Sequence, residues 1–403
     1  MASKVPTPKG FRDFLPEQAR ARAFVLEKLK TTLERFGFEP LETTAIEFAE
    51  TLKGKYGEEE KLIFEFTDRG GRSVALRFDQ TVPLSRVVAT NPNLPKPFKR
   101  YQIQPVWRAE NPQKGRFREF IQVDFDTVGA SSQLADAEII AAAISATENL
   151  GFDSFVMKIN DRETFRGLPA GVVRIIDKLP KIGETGVIEQ LKRQGYDSPQ
   201  AKALLKRLKD SAPTKNINKL FELLKSFKIN PDKYAFDPTL ARGLDYYTAL
   251  IFELEIEDYS GGSVGGGGRY DDLIGRFTGS KIPATGFSFG FDRLLEAASE
   301  ANLLPKYSPN TKVLVTVLKE QYLNDSLSLV SRLRDRGIAA EISLEPTEKL
   351  DKQLKYADNK GIPYAAILGP DEIKQDMITI KDLSSGKQEK LKESDLIKKL
   401  TIT

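Results

Sequence analysis

Two strand-like runs joined by a short charged loop constrain this chain more than any other feature. The first runs from Phe98 to Arg108 and the second from Arg116 to Asp126, where apolar and polar residues alternate strictly. A period of two is the period of a strand, so the pair is predicted to be antiparallel. The loop and its borders carry Glu110, Lys114, Arg116 and Arg118, with Phe120 just beyond. Cations at such a loop can grip a polyphosphate, and an aromatic ring can cover a base. The same residues also fit a solvated hairpin with charged tips. A smaller hairpin is predicted from Leu62–Thr67 and Ser73–Phe78, turning at Gly70-Gly71.

Helices surround these strands. Residues 16 to 36 place Phe24, Leu26, Leu29, Leu33 and Phe36 at helical spacings, with Pro16 and Glu17 suited to the first turn and Gly37 to the end. Ala135 to Leu150 is a second helix. Residues 160 to 230 turn Lys/Leu-rich and helical with no strand pattern, and strand signals return at 236 to 257. Leu304-Pro305-Lys306-Tyr307-Ser308-Pro309-Asn310 has linker chemistry. Beyond it, strands at Val313–Val317, Ala339–Ile342 and Tyr364–Leu368 alternate with helices near 320–336 and 348–360. That rhythm predicts a small parallel or mixed α/β domain. The expected class is α+β, with three parts. Residues 1–159 and 233–308 form a mostly antiparallel sheet with helices outside, 160–232 an inserted helical domain, and 311–403 the α/β domain.

Composition limits the chemistry. The chain has 403 residues, enough for two or three domains, and it contains neither cysteine nor histidine. Disulfides, thiolate nucleophiles, Cys/His zinc sites and histidine-dependent triads are excluded. Asp, Glu, Lys, Arg, Tyr and bound ions must do the work. A net charge of +4 permits a nucleic-acid partner without demanding one. No run of 18 apolar residues exists, so no membrane-spanning helix is expected. The start, Met1-Ala2-Ser3-Lys4-Val5-Pro6-Thr7-Pro8, lacks the apolar core of a secretory signal, and a cytoplasmic location is expected.

One peptide narrows the reading further. Arg242-Gly243-Leu244-Asp245-Tyr246-Tyr247-Thr248 reads as an arginine opening a strand, followed by Ala249 to Glu255, the glycines 265–268 and then Arg269-Tyr270-Asp271. It resembles the signature peptide of histidyl-tRNA synthetases. Arg108-Ala109-Glu110, Gly115 to Phe120 and Gln122-Val123-Asp124-Phe125-Asp126 look like motif 2 of class II synthetases in histidyl form. By that resemblance Arg108 touches the α-phosphate and the substrate carboxylate. Glu110 meets the adenine edge, Arg116 the γ-phosphate, and Phe120 stacks under adenine. Gly286 to Leu295 is similar to motif 3, whose arginine, here Arg293, binds the γ-phosphate. Gly37-Phe38 through Glu47 aligns with motif 1 and its dimer-forming strand, with Thr44 where the class usually has proline. A homodimer is expected.

The amino-acid end is built from three pieces. Arg77-Phe78-Asp79-Gln80-Thr81-Val82-Pro83 resembles the family's stretch around the α-amino group. An ammonium needs a carboxylate and neutral acceptors, which Asp79 and Thr81 supply, and by the resemblance Gln80 belongs to the same histidine-binding stretch. Gln122 and Asp126 lie four apart on a strand and share a face. Imidazole offers one N–H and one bare nitrogen; Asp126 can accept from the N–H and the Tyr247 hydroxyl can reach the ring. Tyr246 and Tyr270 complete the pocket by resemblance.

The resemblance implies activation of L-histidine with ATP to histidyl-adenylate, then transfer to the 3′ end of tRNA(His). Arg108 and Arg242 are the expected catalytic pair. Magnesium is expected to arrive with ATP; no zinc and no organic prosthetic group are expected. Leu350 to Asp358 and Gly361 to Gly369 are similar to the family's anticodon-binding domain, with Lys349, Lys352, Lys355 and Lys360 as phosphate contacts. The closest rival is a binding protein like the regulatory subunit of ATP phosphoribosyltransferase, which shares this fold. A pseudo-synthetase sensor of uncharged tRNA and another class II synthetase are further rivals. The presence of Arg108, Arg242 and Arg293 with a full C-terminal domain favours the synthetase. A histidine-free sequence also implies that synthesis of this chain would not consume its own product.

Overall fold

The computed structural model describes residues 5–113, 115–242, 246–346 and 348–402. Lys114 and Gly243–Asp245, named above, lie outside the described residues. The chain divides into two compact units, Met1–Pro305 and Lys306–Thr403.

The first unit opens with α1 (Pro16–Arg35), β1 (Glu39–Pro40), β2 (Ile46–Phe48), α2 (Ala49–Leu52), β3 (Glu65–Thr67), β4 (Ser73–Leu76) and α3 (Thr81–Thr90). The long strands β5 (Phe98–Trp107) and β6 (Glu119–Val128) follow, then α4 (Gln133–Leu150) and β7 (Phe155–Asp161). A helical stretch holds α5 (Ala170–Ile176), α6 (Leu179–Arg193), α7 (Ser198–Lys209) and α8 (Lys215–Ser226). The chain returns through β8 (Tyr234–Phe236), β9 (Leu250–Ile256), β10 (Gly265–Arg269), α9 (Gly275–Thr278), β11 (Ala284–Gly290) and α10 (Phe291–Glu300).

Eight of these strands form one sheet in the order β1-β5-β6-β11-β10-β9-β7-β8. The edge pairs β1/β5 and β7/β8 are parallel, and every inner pair is antiparallel. The alternation in β6 decides which face does what. Val123 and Phe125 enter a core with Val25, Leu29 and Leu33 of α1 and Ile139 and Ile140 of α4. Gln122, Asp124 and Asp126 therefore face the other side. That second face carries the cavity.

Two sequence expectations change. The peptide at Arg242 does not open a strand: its described residues precede β9, which begins only at Leu250. The small hairpin is part of a three-stranded sheet, β2-β4-β3, because β2 pairs with the far edge of β4. Within the helical stretch, α5, α6 and α7 share a core around Ile176, Leu191 and Leu205, whereas Ile217, Leu220 and Leu224 of α8 belong to the main core.

The second unit holds β12 (Val313–Val315), α11 (Leu323–Asp335), β13 (Ala340–Ile342), α12 (Leu350–Lys360), β14 (Tyr364–Ile367), α13 (Pro370–Gln375), β15 (Ile378–Asp382), β16 (Gln388–Leu391) and α14 (Glu393–Ile402). Its sheet order is β13-β12-β14-β15-β16. The first three strands are parallel and the last two antiparallel, which makes it the mixed alternative.

Candidate active site

Glycines make room for the site. Strand β10 is Gly265-Gly266-Gly267-Gly268-Arg269, between β9 and β11. A methyl group on Gly266 would collide with Nη1 of Arg242, and one on Gly268 would reach the Tyr247 ring at 2.7 Å. The bare strand lets both side chains lie against the sheet. On β11, a Cβ at Gly286 would strike the Asp126 carboxylate. Arg269 then anchors the end of β10: it is buried, pairs with Asp136 of α4 at 2.6 Å, and bonds the carbonyls of Ala130 and Ser132 at 3.1 Å. A buried ion pair so fully bonded fixes geometry more than it adds stability.

The cavity on this face measures about 340 Å³. Its lining includes Asp79, Thr81, Arg108, Glu110, Arg116, Phe120, Gln122, Asp126, Arg242, Tyr246, Tyr247, Tyr270 and Arg293, which are the site residues expected from sequence with one exception. Gln80 does not line it. Gln80 is fully buried, and its amide donates to the carbonyls of Gln104 at 2.8 Å and Gln122 at 3.1 Å. It braces β5 and β6 from behind. Arg77 is likewise part of the frame, bonded to Pro105 O, Thr43 O and Gln104 Oε1 at 2.7–2.8 Å.

One group of lining residues is acidic. Oδ1 of Asp79 accepts from the Tyr56 hydroxyl at 2.9 Å and from the Val82 N–H at 3.1 Å, while its buried Oδ2 has no partner. Burial pushes the Asp79 carboxyl up, against the Val82 and Tyr56 donors and Arg108. Asp126 accepts from the Tyr270 hydroxyl and pairs with fully buried Arg100 at 2.8 Å. Burial raises Asp126 too, and Arg100 opposes it. Gln122 donates to the Ser288 hydroxyl at 3.1 Å, leaving its Oε1 unpartnered. Burial holds the phenols of Tyr246, Tyr247 and Tyr270 above their usual range, so they remain protonated donors. Tyr246 and Tyr247 pack with ring centroids 4.8 Å apart.

A second group is basic. The Arg108 guanidinium sits 4.4 Å from the Phe78 ring centroid and 5.2 Å from that of Phe120, and its Nε donates to Phe78 O at 3.1 Å. Arg116 pairs with Glu110 at 3.3 Å. Arg293 bonds Ser263 O at 3.0 Å and Gly115 O at 3.4 Å; burial and then Arg116 lower its pKa. Arg242 meets Glu253 at 3.3 Å, and its buried Nε is unpartnered. Burial works against its charge, but Tyr247, Glu253, Tyr246 and Asp177 outweigh that. The N-terminus of α10 is steadied here: Asp292 accepts from Arg12 at 2.8 Å and Arg22 at 2.7 Å.

Several lining residues were not expected. Asp124 lies between Gln122 and Asp126 on one strand face, and the period of two was its signal. Ser288 and Asp292 come from the β11–α10 segment. Asp177 and Lys181, from the helical stretch, also line the cavity, and nothing local to their sequence marks them. Burial, followed by Glu253, pushes Asp177 up to about 6. Among the described residues no cluster of three His, Cys, Asp or Glu could cage a metal ion.

In the second unit Lys360 pairs with Glu341 at 2.6 Å and Lys352 with Glu348 at 3.4 Å. Those two expected phosphate contacts are engaged with carboxylates. No helix among the described residues is long and apolar enough to cross a membrane.

Known proteins resemble the chain along nearly its whole length. The family model described as histidyl-tRNA synthetase matches residues 10–173 and 166–294, and that of an anticodon binding domain matches 312–402. A histidine–tRNA ligase of Cytophaga hutchinsonii is 38% identical, over 98% of this chain and 99% of its own. The crystal structure of a histidyl-tRNA synthetase from Nostoc sp. PCC 7120 superposes with a TM-score of 0.83 at 29% identity, covering 98% of this chain and 99% of that one. A Bacillus halodurans structure described as an ATP phosphoribosyltransferase regulatory subunit/histidyl-tRNA synthetase shares the fold, with a TM-score of 0.74 at 22% identity over 89% of this chain and 97% of its own.

Proposed function

This chain belongs to the histidyl-tRNA synthetase family, and we infer from that premise that it is a histidine–tRNA ligase. It activates L-histidine with ATP and transfers the histidyl group to tRNA. The observation that carries this reading is one cavity lined both by the carboxyl groups of Asp79 and Asp126 and by the guanidinium groups of Arg108, Arg116, Arg242 and Arg293.

In the first step a carboxylate oxygen of histidine bonds to the α-phosphorus and the bond to pyrophosphate breaks. The nucleophile is already ionised at neutral pH, so no general base is required. Charge compensation and alignment are required, and arginines supply both. Arg242 and Arg108 flank the α-phosphate, and Arg108 also meets the substrate carboxylate. Glu110 and Phe120 hold adenine by its edge and face, and Arg116 and Arg293 take the γ-phosphate of a magnesium–ATP substrate. The unpartnered Oδ2 of Asp79 receives the α-ammonium beside Thr81. Gln122, Asp126, Tyr246, Tyr247 and Tyr270 enclose the ring. Gln80 acts indirectly, by fixing the strands beneath.

In the second step a terminal ribose hydroxyl of tRNA attacks the adenylate and AMP leaves. The helical stretch is an inserted domain whose Asp177 and Lys181 line the cavity, and residues 311–403 bind the anticodon. The protein acts as a homodimer, a reading supported by the exposed Ile46, Phe48 and Phe66 on the small sheet. The enzyme works in the cytoplasm. The regulatory-subunit alternative is disfavoured by Arg108, Arg242 and Arg293 at one cavity and by the anticodon-binding match over 312–402. The deciding experiment is ATP–pyrophosphate exchange with each of the twenty amino acids. Exchange with histidine alone is expected; no histidine signal would overturn the reading.

A further inference from the structure

Asp124 faces the cavity between Gln122 and Asp126, and no role above uses it. Its side chain belongs to a residue 2% exposed, and its Oδ1 has no hydrogen-bond partner. The Ser288 hydroxyl, opposite it in the β6/β11 register, bonds the carboxyl. An unpartnered buried carboxyl oxygen is costly, so its place in the lining points to a ligand group.

A neutral imidazole needs an acceptor at its N–H and a donor at its bare nitrogen. Asp126, paired with Arg100, is an acceptor. The Cα atoms of Asp124 and Asp126 stand about 6.6 Å apart by strand rise. Two carboxyl groups so spaced can flank one ring. Resting on the reading of this cavity as a histidine site, we propose that Asp124 is a specificity residue: Asp126 accepts the ring N–H, and one proton is shared between the Asp124 carboxyl and the other ring nitrogen.

The surroundings suit a shared proton. Burial pushes Asp124 up to about 7; Arg100 and Ser288 work against this, while Asp126 and Asp79 add to it. Tyr247 is the remaining titratable neighbour whose charge couples to Asp124. Free imidazole titrates near about 6.5, so the two partners are closely matched. A carboxylic acid against neutral imidazole and a carboxylate against imidazolium contain the same single proton. Above neutral pH both free partners have lost it, and binding must take one up from water. Apparent affinity for histidine then falls about tenfold per pH unit.

The test is the histidine KM in ATP–pyrophosphate exchange, followed upward from neutral pH in wild type, Asp124→Asn and Asp124→Leu. Wild type is expected to show the tenfold-per-unit rise. Asparagine carries a permanent N–H donor, so its profile should be flat apart from titration of the substrate amino group, which both proteins share. Leucine should raise histidine KM at least tenfold at every pH, with ATP KM and Tm unchanged. A wild-type slope in Asp124→Asn, or an unaltered histidine KM in Asp124→Leu, overturns the proposal while leaving the ligase reading intact. Wild type without histidine-dependent exchange overturns the ligase reading itself, and this proposal with it.

Discussion

The acidic and basic side chains that line the cavity solve opposite electrostatic problems. Asp79, Asp124 and Asp126 are almost fully buried, and burial raises the pKa of each. Arg242 keeps its charge because Tyr247, Glu253, Tyr246 and Asp177 outweigh its burial. Burial shifts a carboxyl toward the range in which it exchanges protons, whereas a guanidinium group does not release its own. The carboxyl groups are thus suited to recognising a titratable substrate, and the arginines to a fixed field for phosphate.

That contrast predicts separable kinetics. Arg242→Ala should cost the most, about 10²–10³ in the rate of pyrophosphate exchange with histidine KM little changed. Near-normal exchange would remove Arg242 from its role. Gly266→Ala should follow, because the added methyl group occupies the place of Arg242 Nη1. A displaced donor should lower kcat by about 10²-fold, with the thermal midpoint as the control on folding. Asp79→Asn keeps the oxygen that accepts from Tyr56 and Val82 but turns an amide toward the ammonium. Histidine KM should rise about 10- to 100-fold while ATP KM holds, as for loss of a hydrogen bond to a charged group. Phe120→Ala should give the reverse split, with ATP KM up about tenfold and histidine KM steady. If these two variants move the same constant, the division of labour fails. The smallest effect belongs to Lys355→Ala, an exposed change expected to raise tRNA KM about twofold and leave pyrophosphate exchange untouched.

Much of the site was legible because strand period and local motif order survive folding. Gln122 and Asp126 share a face for that reason, and Asp124 was equally accessible to it. Gln80 marks where such reading stops. A polar residue inside a binding motif looks the same whether it meets the ligand or, as here, two backbone carbonyls. The strand expected at Arg242 failed for a related reason: Tyr246 and Tyr247 have strand propensity, but their places are set by packing over the glycine strand.

Sequence by itself determined the family, the α+β class, the exclusion of histidine and cysteine chemistry, and the acidic and basic residue types of the site. These depend on composition, short periods and motif order, which are properties of neighbours along the chain. Tertiary structure decided what depends on distant partners. It turned four glycines into a central strand that seats Arg242, joined Arg269 to Asp136 across 133 residues, and brought Asp177 and Lys181 to the cavity. It also buried Asp124 deeply enough to titrate near neutrality, because desolvation is set by everything packed around a group and by nothing adjacent to it in sequence.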